Sequence, residues 1–203
     1  MDASPTETPD DVVTPPGPDA PIDTPPEAPP PPAPCKIPSI DHLAHWYVAS
    51  EAKAVTTPPI GSSILVTEGD HQVGKVAFAG GGWHIVAVWV TNSLMSQADL
   101  SNSTGFTLTY SATADLWVQL REVANYNGGA HFVAVLPSTG GQLRTVFVPF
   151  TPDHWITLPS LGKPTVTFAE AIAQVRGLFF IDDAANTLEF DRLSFDNFTP
   201  QCQ

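Results

Sequence analysis

Residues 106–112 read FTLTYSA, and residues 116–122 read LWVQLRE. In the first stretch, Phe, Leu and Tyr alternate with Thr, Thr and Ser. In the second, Leu, Val and Leu alternate with Trp, Gln and Arg. Successive side chains of a β-strand point to opposite faces, so strict alternation predicts two strands that each bury one face.

The same kind of segment recurs along the chain after about residue 60, separated by turn residues. Glycine-rich or Asn/Asp-rich breaks lie at 80–82, 125–129, 138–141 and 182–186, and these composition changes mark turns. The further predicted strands are 64–66, 73–78, 84–90, 131–136, 143–150, 177–181 and 187–195. Residues 169–175 are expected to form one or two helical turns. Eight or nine strands with so little helix predict an all-β fold, a jelly-roll β-sandwich of two antiparallel sheets.

The first 34 residues differ sharply from the rest. They hold more than half of the 22 prolines and seven acidic residues but no Lys or Arg, within a chain of formal net charge −13. Such a segment buries too little apolar surface to offset its ordering entropy. We therefore expect a disordered, Pro-rich, acidic stalk over 1–34, stiffened by polyproline II structure, and one folded domain over 35–203. A proline-rich ligand for an aromatic groove is the alternative interpretation.

Charge and hydropathy exclude two kinds of partner. Eight Lys plus Arg in 203 residues, without a basic cluster, give little drive for binding nucleic acid. No apolar run reaches the 18 or more residues that a membrane-spanning helix needs.

Two cysteines, Cys35 and Cys202, bracket the predicted domain. This placement predicts a disulfide that joins its ends in an oxidising compartment, while two unrelated thiols are the alternative.

Met1 is followed directly by Asp2, so no signal peptide is visible, and we expect the numbering to begin on a processed or trimmed chain. The acidic, proline-rich spacer resembles the segment that follows the lipidated cysteine of bacterial surface lipoproteins. That resemblance implies a secreted or cell-surface protein with a possible lipid anchor outside this chain.

Several segments, in their order along the chain, resemble galactose-binding-like jelly-roll domains, especially the carbohydrate-binding modules of bacterial polysaccharide-degrading systems. The segments are ADLS and GFTL at 98–101 and 105–108, LWVQL at 116–120, VFVPF at 146–150, AQVRGLFF at 173–180 and LEFDRLSF at 188–195. The resemblance implies two antiparallel sheets with a glycan site on a concave face or in edge loops, and a structural calcium ion near Asp191. Arg192 stands where the family has a second aspartate.

The candidate glycan site begins with Trp117, Gln119 and Arg121, which share one face of their strand. Glycan sites combine flat aromatic rings with amide and guanidinium groups that hydrogen-bond to hydroxyls. The alternative is that Trp117 is half-buried core and that Arg121 pairs with Glu122 or another neighbour.

The next turn and strand would extend this patch through Asn125, Tyr126, Asn127 and His131. Asparagines are also common in turns because they tolerate left-handed backbone, so the two asparagines have an ordinary structural interpretation.

Four further aromatic or imidazole side chains stand at turns: Trp83, His84, His154 and Trp155. Each tryptophan is either an exposed sugar platform or a lid on the sandwich core. Trp89 lies inside a strand and is expected to be core.

Candidate metal ligands are few and scattered. Glu68 and Asp70 are placed to complete a calcium site with Asp191, and carboxylate oxygens are the ligands that calcium prefers. His42 and His45 have the spacing of two metal ligands on a helical turn, but without a third ligand nearby a capped surface turn is the favoured interpretation. The pair at 182–183 is a turn that would also suit a cation.

The sequence contains no Gly-x-Ser-x-Gly elbow, His-Glu-x-x-His helix or phosphate-binding loop. Two carboxylates flanking a cleft would still suffice to hydrolyse a glycoside. The sequence therefore favours a non-catalytic, extracellular module that binds a polysaccharide or cell-surface glycan. The alternative is a cell-surface structural or adhesion protein that uses the sandwich for protein contact or assembly.

Overall fold

The computed structural model describes residues 46–50, 55–79, 82–90, 97–122, 130–158 and 162–198. The predicted stalk and both cysteines lie outside these ranges, so the stalk and the disulfide stay predictions. Within them, no helix is long and apolar enough to cross a membrane.

Strands dominate the described chain, and the predicted all-β class is confirmed. The strands are β1 (Tyr47–Ser50), β2 (Thr56–Thr57), β3 (Leu65–Glu68), β4 (His71–Phe78), β5 (His84–Trp89), β6 (Gly105–Ala112), β7 (Leu116–Glu122), β8 (Phe132–Leu136), β9 (Arg144–Pro149), β10 (Ile156–Thr157), β11 (Val175–Asp182) and β12 (Asn186–Phe195). One short helix, α1 (Phe168–Ile172), lies in the segment where one or two helical turns were expected.

The strands form two antiparallel sheets. The front sheet has the order β1-β5-β11-β7-β8-β10, and the back sheet has the order β2-β4-β12-β6-β9, with β3 also paired to β4. Chain neighbours such as β11 and β12 belong to different sheets, so the chain crosses repeatedly between the two layers. This is the predicted sandwich of two antiparallel sheets.

Alternate side chains of both sheets meet in one apolar layer. In β7 the inward side chains Leu116, Val118 and Leu120 are at most 1% exposed, as the alternation predicted. Facing them, Tyr110 of β6 is fully buried and donates its hydroxyl to the carbonyl oxygen of Pro137 at 2.6 Å. Burial is the main reason that the pKa of Tyr110 rises to about 12.

The helix starts with a reciprocal pair of hydrogen bonds. The hydroxyl of Thr167 accepts from the backbone N–H of Glu170, and the Glu170 carboxylate accepts from the backbone N–H of Thr167 at 2.8 Å. Such a capping box satisfies donors that the first helical turn leaves without intrahelical partners. It fixes a five-residue helix that is too short to persist alone.

Asp196 ties the end of β12 to the start of β6. Its carboxylate accepts from the hydroxyl of Ser103 at 2.7 Å and from the backbone N–H groups of Thr104 and Gly105 at 2.9 and 3.0 Å. The hydroxyl of Thr104 donates to it as well. The hydroxyl bonds, first that of Thr104, stabilise the anion and lower the pKa of Asp196 to about 2.

We expect Asp196→Ala to lower the free energy of unfolding at pH 7 by about 1–2 kcal/mol, because several donors lose a charged acceptor that is partly solvent-screened. The folded-state pKa lies below the unfolded value, so this contribution is complete above about pH 4. It is lost as the pH falls towards 2. Urea denaturation at pH 7 and pH 2.5 measures both effects.

The matched control is Asp183→Ala, an exposed aspartate in the β11–β12 turn. Equal destabilisation by the two variants, or a loss in Asp196→Ala that does not shrink in acid, contradicts this role of Asp196.

Candidate functional site

Trp117, Gln119 and Arg121 lie on the outer surface of the front sheet, opposite the apolar layer between the sheets. Trp117 and Arg121 are half-buried, and Gln119 is 6% exposed. The strand pairing places Phe179 of β11 beside Gln119 and Ile181 beside Trp117. We call this surface the aromatic face and define it by these five residues together with Trp83.

A second apolar cluster underlies the aromatic face. Ala87, Trp89, Phe179 and Ile181 are all at most 9% exposed and pack together on the outer side of the front sheet. Trp89 is therefore buried, as expected for a core residue, but it does not lie in the layer between the sheets. Its ring meets Phe179 edge to face with 5.8 Å between centroids.

Two tryptophans come together on this face from distant parts of the sequence. Trp83, just before β5, packs against Trp117 of β7 with ring centroids 5.6 Å apart and an interplanar angle of 48°. Both rings are half-buried, so part of each contacts solvent. The sequence suggested Trp83 and Trp155 as possible sugar platforms. The structure places Trp83 next to Trp117, the first residue of the candidate site.

His84 points the other way from its neighbour Trp83. Its imidazole is fully buried and stacks on Phe78 with 4.6 Å between ring centroids. It therefore belongs to the interior of the sandwich and not to the aromatic face.

A chain of hydrogen bonds crosses one end of the aromatic face. Arg121 donates from Nη1 to Nε2 of His131 at 2.6 Å and to Oε1 of Gln119 at 3.3 Å. Nδ1 of His131 lies 3.0 Å from Oε2 of Glu122. An arginine side chain carries only donors, so Nε2 of His131 accepts and Nδ1 carries the hydrogen that Glu122 accepts.

This network fixes the position of the guanidinium. The Arg121 carbon Cζ sits 4.7 Å from the centroid of Phe179, a cation–π distance. Glu122 is fully buried and His131 is 4% exposed, so both support Arg121 from beneath. The alternative pairing of Arg121 with Glu122 is thus realised through an intervening histidine.

Arg176 is a residue of this surface that the sequence did not single out. Its guanidinium lies 5.9 Å from the ring centroid of Trp89, and the residue is 4% exposed. The pairing of β11 with β7 shifts register between Val175 and Gly177, which brackets Arg176. A β-bulge re-aims side chains, and no local sequence pattern announces it.

The predicted binding residues Asn125, Tyr126 and Asn127 lie outside the described residues, as do His42 and His45. Their part in binding stays a prediction. Of the predicted set, the structure thus brings together Trp117, Gln119, Arg121 and His131.

Trp155 is part of the sandwich core. It is 2% exposed, packs against Phe106 and Phe150, and donates its indole N–H to the carbonyl oxygen of Pro149 at 2.7 Å. The lid alternative is therefore correct, and the platform interpretation of Trp155 is wrong. His154 is exposed in the preceding turn.

Basic side chains lie against the three predicted calcium ligands Glu68, Asp70 and Asp191. His71 lies 3.0 Å from Asp191 and 3.4 Å from Asp70, and the carboxylates, first that of Asp70, raise the pKa of His71. Glu68 bonds to Lys75. Among the residues that the structure describes, no three His, Cys, Asp or Glu side chains are grouped to hold a metal ion. As the side chains stand, this donor set does not fit calcium, and calcium binding stays a prediction.

The Asp182 carboxylate closes the β11–β12 turn. It accepts from the backbone N–H of Ala184 at 2.8 Å and from the Asn186 amide. These two hydrogen bonds stabilise the buried Asp182 carboxylate, so a bound cation is not needed to explain its burial.

No family model matches this chain, and no curated protein matches it in sequence. Solved structures match its fold. A family 11 carbohydrate-binding module of a cellulosomal cellulase of Clostridium thermocellum aligns over 74% of this chain and 86% of its own, with 13% identity and a TM-score of 0.52. The family 11 module of that organism in complex with a β-1,3-1,4-mixed-linked tetrasaccharide aligns over 78% and 92%, with 12% identity and a TM-score of 0.51.

A family 30 carbohydrate-binding module is similar as well, over 78% of this chain and 98% of its own, at 14% identity and a TM-score of 0.50. At such low identity the likeness concerns the fold alone. The jelly-roll fold expected from the sequence motifs is confirmed: this chain folds like carbohydrate-binding modules.

Proposed function

We propose that this chain is a non-catalytic carbohydrate-binding module that holds a polysaccharide or cell-surface glycan against the aromatic face. The observation that carries the proposal is the pair Trp83–Trp117 beside Gln119 and Arg121 on one outer surface. Half-buried indole rings still offer part of their apolar faces to sugar rings, while an amide and a fixed guanidinium offer hydrogen bonds to hydroxyls. The fold shared with carbohydrate-binding modules supports the same interpretation.

The apolar surface continues past the tryptophans. Val135 lies opposite Trp117 on β8 and is 47% exposed, and Ile156 on β10 is 51% exposed. Both side chains lie on the outer side of the front sheet. They extend the aromatic face towards the β10 edge, where an extended ligand gains further apolar contact.

The carboxylates of this surface favour binding over hydrolysis. A glycosidase of the common type needs two carboxyl groups on either side of the scissile bond. None of the six residues that define the aromatic face is a carboxylate, and Glu122 beside it is buried and bonded to His131. We infer that the site holds glycan without cleaving it.

The display of the module is also part of the proposal. The acidic, proline-rich residues 1–34 would hold the domain away from its anchor, and the Cys35–Cys202 disulfide would close the domain in an extracytoplasmic compartment. A mass difference of two hydrogens between the purified chain and its reduced form tests the disulfide.

A protein-contact role has one observation in its favour. Leu143 and Phe147, beside and within the edge strand β9, are 50% and 52% exposed. They lie at the β9 edge of the back sheet, away from the aromatic face. We therefore keep adhesion or assembly as the second candidate.

We expect Trp117→Ala to reduce retention on the cognate glycan in affinity electrophoresis strongly, because the tilted tryptophan pair is lost. The melting temperature should fall by only a few degrees, since the side chain is partly exposed and lies outside the apolar layer between the sheets. The control is Phe147→Ala, which removes an exposed aromatic from the back sheet. Retention that is unchanged by Trp117→Ala, or equally lost in Phe147→Ala, contradicts the site.

We expect Arg121→Lys to weaken glycan binding by about tenfold, equal to about 1.4 kcal/mol, although the charge is kept. Lysine lacks the planar guanidinium that donates hydrogen bonds to His131 and Gln119 and lies over the ring of Phe179. Isothermal titration on the bound glycan measures the effect. Wild-type affinity in this variant would show that a positive charge suffices and that the fixed guanidinium is not needed.

A further inference from the structure

A cleft of about 790 Å³ opens on the outer surface of the back sheet. It lies on the sheet opposite the aromatic face. We call it the back-sheet cleft and define it by its floor, which consists of Lys75, Ala77, Ser111, Thr187 and Glu189. Pro58, after β2, and Gly141, before β9, line its sides.

The floor is a grid of side chains on three neighbouring strands. In one row, Lys75 of β4 pairs with Glu189 of β12, which pairs with Ser111 of β6. In the next row, Ala77 pairs with Thr187. Adjacent strands are about 4.8 Å apart, so the floor is roughly 10 Å wide. Because the second row, Ala77 and Thr187, has small side chains, there is room for the cleft above it.

The charged side chains at the cleft form one small group. Nζ of Lys75 lies 3.6 Å from Oε2 of Glu189 and also bonds to Glu68 at the β3–β4 hairpin. One ammonium between two carboxylates leaves a net charge of −1, which disfavours a polyanion. The group still presents an ammonium donor and carboxylate acceptors to a neutral ligand.

The other polar groups are hydroxyls, which both donate and accept. Ser111 is 8% exposed and lines the cleft, and within the described chain no residue bonds to its hydroxyl. Thr187 is exposed in the next row. The Ser111 hydroxyl can therefore donate to and accept from a ligand that enters the cleft.

We propose that the back-sheet cleft is a second binding site, for a neutral polyhydroxylated ligand held by hydrogen bonds. None of the lining residues that the structure describes is aromatic. Sugar rings therefore bind here through their edges, in contrast to stacking on the aromatic face, and the affinity is lower. Free oligosaccharide and a segment of a polysaccharide share this chemistry. With sites on opposite sheets, one module links two glycan chains.

The test is an NMR titration of the full chain with neutral tetrasaccharides of glucose, galactose, mannose and xylose, and with a tetragalacturonate of equal length. The variant is Thr187→Trp, which fills the cleft from an exposed position on β12. The control is Ser194→Trp, which adds the same ring at another exposed position of β12 outside the lining. Trp117→Ala is titrated in parallel.

A neutral probe is expected to shift the amide signals of Ala77, Ser111 and Thr187 in the wild type, in Trp117→Ala and in Ser194→Trp, but not in Thr187→Trp. The proposal is overturned if no neutral probe shifts the floor signals, or if these signals shift equally in Thr187→Trp. It is also overturned if the tetragalacturonate shifts them as strongly as a neutral probe does. If floor signals shift while those of the aromatic face do not, the proposed function fails and the second site stands. Affinity electrophoresis of Trp117→Ala in polysaccharide gels distinguishes free oligosaccharide from polysaccharide as the ligand of the cleft. Residual retention in the gel shows that the cleft binds the polysaccharide.

Discussion

The apolar layer between the two sheets is the contact on which the remainder of the structure depends. At its centre, Trp46 of the front layer packs on Phe180 of β11 and Phe190 of β12, with ring centroids 6.0 and 5.2 Å apart. Because β-strand side chains alternate, burial of Leu116, Val118 and Leu120 in this layer forces the other side chains of β7 outward. The composition of the aromatic face is thus a direct result of inter-sheet packing.

The front sheet is unusual in being apolar on both sides at its centre. Antiparallel sheets commonly pack one side on the core and leave the other to polar residues. Here Ala87, Trp89, Phe179 and Ile181 make a second buried cluster on the outer side. This cluster gives the half-buried Trp83 and Trp117 a rigid base, and the network of Arg121, His131 and Glu122 fixes the polar end of the same surface. Hydrogen bonds between polar groups are stronger in such low-dielectric surroundings, so they help to hold the Arg121 side chain in place.

The two outer surfaces of the sandwich differ in chemistry. The front presents indole rings with an amide and a guanidinium, whereas the back presents hydroxyls around the ion pair of Lys75 and Glu189. Rings suit the apolar faces of sugars, and hydroxyls suit their edges. The opposite placement follows from the sandwich itself, because each sheet has one outer side and the core occupies the space between them.

The amino-acid sequence by itself determined the long strands and the sidedness of β7, because both follow from an alternation confined to a few consecutive residues. It did not reveal β1, β2 or β10, edge strands of two to four residues that are too short to show a period. Only the tertiary structure decided that Trp83 meets Trp117, that Trp155 enters the core, that Trp89 packs on the outer side and that His131 stands between Arg121 and Glu122. Those relations depend on which distant strands pair and in which register, and a bulge such as that beside Arg176 changes them without any local signal.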